Sequence, residues 1–164
     1  MFIKSRIRRG QSSIELVAGL MFLIPIMLFA IDIATIFMGS TLNNSVCRDA
    51  ARAAASGPPS VLIAKYGMNG QPTPQERAKA VVSRNLKSTG AVQLDPNPIV
   101  TENVVAASLP APPFGGTVTG TVTAQTSVDV YTPFLVGKII GKTPIRITTS
   151  QTFPYTWVMS GKFP

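Results

Sequence analysis

The sequence predicts an α+β fold: a long N-terminal helix that passes from an apolar span into a small domain with a short helix and an antiparallel sheet. Three observations carry this prediction. Leu16 to Ile31 contains no charge, and after Asp32 the apolar character resumes as far as Met38. Thr117 to Tyr131 places Val118, Val122, Ala124, Val128 and Val130 on one face of a period-two pattern, with Thr and Ser between them. Thr73-Pro74-Gln75-Glu76 is a helix start, with a capping pair three residues apart and Pro at the first helical position.

The first ten residues, MFIKSRIRRG, hold Lys4, Arg6, Arg8 and Arg9 and no acid. At a rise of about 1.5 Å per residue, a helix from Leu16 to Met38 would be about 35 Å long, enough for a hydrocarbon core of about 30 Å. Beyond the span the first basic residues are Arg48 and Arg52. The positive-inside rule therefore places the amino terminus in the cytoplasm and the domain outside it. A cleaved secretory signal is the competing reading, but the apolar run is long and the nearest small-x-small string, Ala53-Ala54-Ala55, lies well past Met38. The expected organisation is a basic, cleaved leader at 1–10, a long helix at 11–57 with its transmembrane part at 16–38, and an extracytoplasmic α+β domain at 58–164. Pro25 predicts a kink or local unwinding in the membrane half.

Two acids belong to this helix. Glu15 stands just before the apolar run, where an acid is favoured by the helix dipole. Asp32 lies inside the run, where a lone carboxylate costs about 2.5–3.5 kcal/mol on insertion scales. Either it is an intramembrane acid with a specific role, or it sits near the outer interface and reaches water.

Past the span, Leu42, Val46, Ala50, Ala53 and Ala54 recur at helical steps as a narrow apolar stripe, with Cys47 beside it. Gly57-Pro58-Pro59 stops the helix. Ser60 to Pro72 reads as a connection, and the helix from Pro74 continues to about Thr89, with Ala78, Val81, Val82 and Leu86 as its apolar face. Strands are predicted at Ile99–Ala106, Thr117–Tyr131 and Pro144–Phe153, and a loop at Leu109–Gly116. Between the last two strands, Thr132 to Lys142 is too apolar for an ordinary exposed hairpin loop. It either tucks under the sheet as core, the preferred reading, or forms an exposed patch for membrane or a partner subunit.

Composition narrows the chemistry. The chain has 164 residues, no His and one Cys. Ser-His-Asp and Cys-His machinery is therefore excluded, as are a His/Cys zinc site within one chain and an intrachain disulfide. Asp49, Glu76, Asp95, Glu102 and Asp129 are scattered, and no phosphate loop or nucleophile elbow is present. No catalytic residue, metal or cofactor is expected. The formal charge of +8 invites a nucleic-acid reading. Four of the fifteen basic residues, however, lie in the proposed leader, and no nucleic-acid partner is expected.

Arg9-Gly10-Gln11-Ser12-Ser13-Ile14-Glu15, running directly into a long apolar helix, resembles the processing site of the type IV pilin superfamily. The TadE-like group of the tight-adherence (Flp) pilus system is the nearest resemblance. Its members look like R-R-G-x-x-x-x-E-F, then an apolar run with an Asp near its end, then a small-residue helix. Ile31-Asp32-Ile33 and the NSVCRDAARAAA string from Asn44 to Ala55 match that pattern. Leu16 departs from it, since an aromatic residue is more usual there. A Val/Thr-rich strand leading through an apolar Pro/Gly connection into a Thr-rich strand is also similar to that group.

The resemblance implies cleavage by a prepilin peptidase between Gly10 and Gln11, with Glu15 as the assembly carboxylate. It implies a pilin-like fold and a minor pilin or pseudopilin of a tight-adherence pilus or secretion assembly, structural and not enzymatic. The implied partners are the peptidase, sister pilins, the inner-membrane assembly platform and membrane lipid, with the chain oligomeric in the assembly. The implied location is the bacterial inner membrane, single-pass, with the C-terminal domain periplasmic and a place in a cell-surface pilus. The alternative is an uncleaved single-pass anchor carrying a periplasmic scaffolding or binding module.

Overall fold

The computed structural model describes residues 4–66, 68, 70–85, 90–108, 115–141 and 144–159, with the side chains of 4–12 and 159 outside the description. The element order is α1 (Lys4–Ala55), α2 (Ser60–Tyr66), α3 (Pro74–Asn85), β1 (Val92–Leu94), β2 (Ile99–Ser108), β3 (Gly116–Val130), α4 (Val136–Ile140) and β4 (Ile145–Met159). The class is α+β, with a long apolar N-terminal helix and a four-stranded antiparallel sheet.

The helix α1 starts at Lys4 and passes through Gly10 and Pro25 without a break in assignment, earlier than the start expected at 11. Lys, Arg and Ile in the leader are adequate helix formers, and a single internal Gly costs only about 1 kcal/mol. The C-terminal half of α1 packs on the sheet through Val46, Cys47, Ala50, Ala51 and Ala54, all buried. Small residues on that stripe let the helix lie close to the strands. At Gly39 an added Cβ would come within 2.6 Å of Val130 Cγ2, so the strand end approaches the helix backbone there.

β3 is the central strand. β4 runs antiparallel along its whole length from Gly116↔Met159 to Val130↔Ile145. The opposite edge is shared, with β2 pairing Gln125 to Thr117 and β1 pairing Val130 to Val128. The even-numbered residues of β3 from Val118 to Val130 face the helices and are buried. They form one core with Leu62 of α2, Ala78 and Val82 of α3, and Val92 and Leu94 of β1. The opposite face of the sheet carries hydroxyls, including the paired Thr123–Thr152 (2.8 Å) and Ser127–Thr148 (3.1 Å).

Three elements differ from expectation. Ser60–Tyr66 is a short helix, started by Pro58 and Pro59, with Leu62 in the core. β1 is too short to show a period in sequence. β4 continues past Pro154 to Met159; it pairs only with β3 and is an edge strand, where a Pro is tolerated. The expected continuation of α3 through 86–89 and most of the loop at 109–116 lie outside the described residues.

Candidate functional site

The domain grips only the C-terminal half of α1. From Ser13 to Ile31 the helix stands almost wholly exposed, with Ile14, Met21 and Phe22 each more than 70% open. Among the described residues this is the one helix long and apolar enough to cross a membrane. Glu15 is exposed on its flank. The backbone of Gly10 and Gln11 is helical, while the side chains of Gln11, Lys4, Arg6, Arg8 and Arg9 lie outside the description.

Asp32 is fully buried despite its place in the apolar run. Its carboxylate accepts three backbone N–H groups from the start of α4. Phe134 N–H donates to Oδ1 at 3.2 Å, and Leu135 and Val136 N–H donate to Oδ2 at 2.6 and 2.8 Å. Two of them, on the N-cap Leu135 and on Val136, are orphan donors of a helix that has no side-chain cap of its own. At about 1.5–3 kcal/mol per hydrogen bond to a charged group, three of them offset an insertion cost of about 2.5–3.5 kcal/mol. The carboxylate reaches protein backbone and not water.

The apolar connection is divided. Val136 and Gly137 are buried against the molecule, whereas Ile139 and Ile140 are 74% and 55% exposed. The preferred expectation, that the connection tucks under the sheet as core, is not met: Val136 and Gly137 are buried where α4 meets α1, but no residue of α4 joins the core cluster. α4 is held at its N-terminal end by Asp32 and closed by Gly141 in the left-handed region, so its two isoleucines point away from the sheet core.

Beyond the span, a buried polar set locks α1 to β3 and β4. Asn43 Nδ2 donates to Ile147 O (3.0 Å), Thr149 Oγ1 (3.1 Å) and Thr126 O (3.3 Å), and its Oδ1 accepts from Thr126 Oγ1 at 2.7 Å. Cys47 Sγ–H lies 3.2 Å from Ala124 O and 3.3 Å from Thr149 O. Cys47 is therefore a buried packing residue with hydrogen-bond partners. At the far end of α1, Arg77 of α3 collects part-buried carbonyls: Nε donates to Ala53 O, and Nη2 to Ala54 O and Pro58 O. Burial lowers the pKa of this guanidinium, and the charge of Glu102 opposes that shift.

Four of the five scattered acids have structural partners. Glu102 accepts from Ser60 N–H and Ser60 Oγ–H at the start of α2. Asp95 and Asp129 pair with Arg146. Glu76 accepts Thr73 N–H at 2.8 Å while Thr73 Oγ1 accepts Glu76 N–H, which is the predicted capping pair. Among the described residues no group of three metal-ligating side chains occurs.

Sequence reasoning singled out Asp32 but missed its partner. The two anomalies complement each other: an acid among apolar residues, and a helix start at Pro133-Phe134-Leu135 with no capping Ser, Thr, Asp or Asn. Comparison with known proteins returned no match: no family model, no curated protein and no solved structure is similar to this chain.

Proposed function

We propose that this chain is a minor pilin or pseudopilin of the TadE-like kind, a structural subunit of a tight-adherence pilus or secretion assembly. The observation that supports this reading best is the free-standing apolar half of α1 with Glu15 exposed at its start. The chain's own domain leaves that half uncovered, so its cover is lipid or the helices of neighbouring subunits.

In this reading the four basic residues of the leader hold the amino terminus in the cytoplasm. The domain emerges on the periplasmic side, and a prepilin peptidase cuts between Gly10 and Gln11. Cleavage frees an α-amine on Gln11. In the low dielectric of a helix bundle, the Glu15 carboxylate of one subunit pairs with the amine of the next. Either charge alone would be expensive to bury, and the pair selects register more than it adds stability.

A second reading, an uncleaved single-pass anchor bearing a scaffolding domain, is favoured by the unbroken helical backbone of α1 across Gly10 and Gln11. Glu15→Ala separates the two. Co-purification of tagged and untagged copies from membranes, after cross-linking, is the measurement. The pilin reading predicts loss of the cross-linked species with membrane insertion retained. Undiminished cross-linking favours the anchor.

A further inference from the structure

We infer that α4 is a membrane-surface foot: Phe134, Ile139 and Ile140 enter the headgroup–hydrocarbon boundary of the leaflet that α1 leaves. The inference rests on the proposed membrane span of α1 and adds to it a second point of lipid contact.

The level of α4 is fixed by Asp32, whose carboxylate holds the N–H groups of Phe134, Leu135 and Val136. Asp32 precedes Met38 by six residues, about 9 Å along a helix axis. Between them the outer flank of α1 is still apolar, with Ile33 49%, Phe37 73% and Met38 68% exposed. If lipid covers that flank, α4 lies on the lipid side of its outer end. Its exposed Ile139 and Ile140 then extend the same apolar belt sideways from α1.

Two further features fit a lipid occupant. Backbone N–H groups at membrane depth need protein partners, since no water is there to serve them. Asp32 supplies such partners at the start of α4, which in water would need none. From Val130 to Pro144 the chain carries Lys138 and Lys142 and no acid. Lysine stems lie along apolar surface and place the ammonium among phosphates, which suits an anionic headgroup layer.

The test uses the full chain in vesicles of phosphatidylethanolamine and phosphatidylglycerol. Trp157→Phe removes the single tryptophan, and Ile139→Trp or Phe22→Trp then reports one site each. Lipids spin-labelled near the headgroup or at mid-chain act as quenchers. The Phe22→Trp reporter is expected to be quenched most by the mid-chain label and the Ile139→Trp reporter most by the shallow label. Adding Asp32→Ala is expected to weaken quenching of the Ile139→Trp reporter and to leave the Phe22→Trp reporter unchanged. Quenching of Phe22→Trp with none of Ile139→Trp overturns the foot while keeping the span; blue-shifted emission from Ile139→Trp without quenching would assign the patch to a second copy of the chain. No quenching of Phe22→Trp removes the span, and the foot with it. Unaltered shallow quenching after Asp32→Ala contradicts the role given to Asp32.

Discussion

Asn43 and Asp32 show how single polar residues position this long helix. Each is fully buried, and each directs its hydrogen bonds to backbone or side chains more than eighty residues away in sequence. Replacing Asn43 with Ala leaves the Thr126 hydroxyl without its acceptor and is expected to cost about 2–3 kcal/mol. Denaturant unfolding in detergent, followed by the emission of Trp157, measures it; a loss well under about 1 kcal/mol would mean the lock is incidental. Glu76 supplies a pH signature. The Thr73 backbone N–H, and then its side chain, hold the carboxyl below its ordinary pKa. A depressed folded-state pKa contributes stability that is full above the ordinary value and is lost as pH falls through the lower folded value. The parent protein should therefore lose more stability on acidification over that window than Glu76→Gln. Parallel acid profiles would contradict the assignment.

At the scale of elements, β3 is the most constrained segment. At Gly120 a Cβ would collide with the backbone carbonyl of Asn103 and lie 2.8 Å from the buried Tyr155 hydroxyl. Gly120→Ala is expected to destabilise the protein by about 1–3 kcal/mol through overpacking, read as a lower melting temperature by circular dichroism. An unchanged melting temperature would mean that β2 or Tyr155 yields freely. Much of β3 was legible in sequence, because the alternation of Val118, Val122, Ala124, Val128 and Val130 reports burial directly. The capping pair Thr73–Glu76 was legible for a related reason, since both partners lie within one turn. What escaped depends on distant partners. α2 is tied to Glu102 of β2, and β4 carries Pro154 as an edge strand. The orientation of α4 depends on an acid 102 residues earlier.

For the whole molecule, the asymmetry of α1 organises the account. One half is clamped by the sheet, by Asn43 and by Arg77, and the other projects with an apolar surface and a carboxylate at its start. That division was visible in the sequence as the change from Leu16–Met38 to the small-residue stripe of Val46, Ala50 and Ala54. The charge surplus fits the same picture. Removing residues 1–10 would leave 11 basic and 7 acidic side chains, reducing the balance from +8 to +4. In the proposed pilin reading, half of the net charge is an orientation signal discarded at processing. The central claim, a peptidase-processed pilin subunit, is tested most directly by the amino-terminal residue of the protein recovered from membranes, read by intact mass with and without a co-expressed prepilin peptidase. A processed pilin gives a chain beginning at Gln11 only when the peptidase is present. A chain beginning at Met1 under both conditions would contradict the claim.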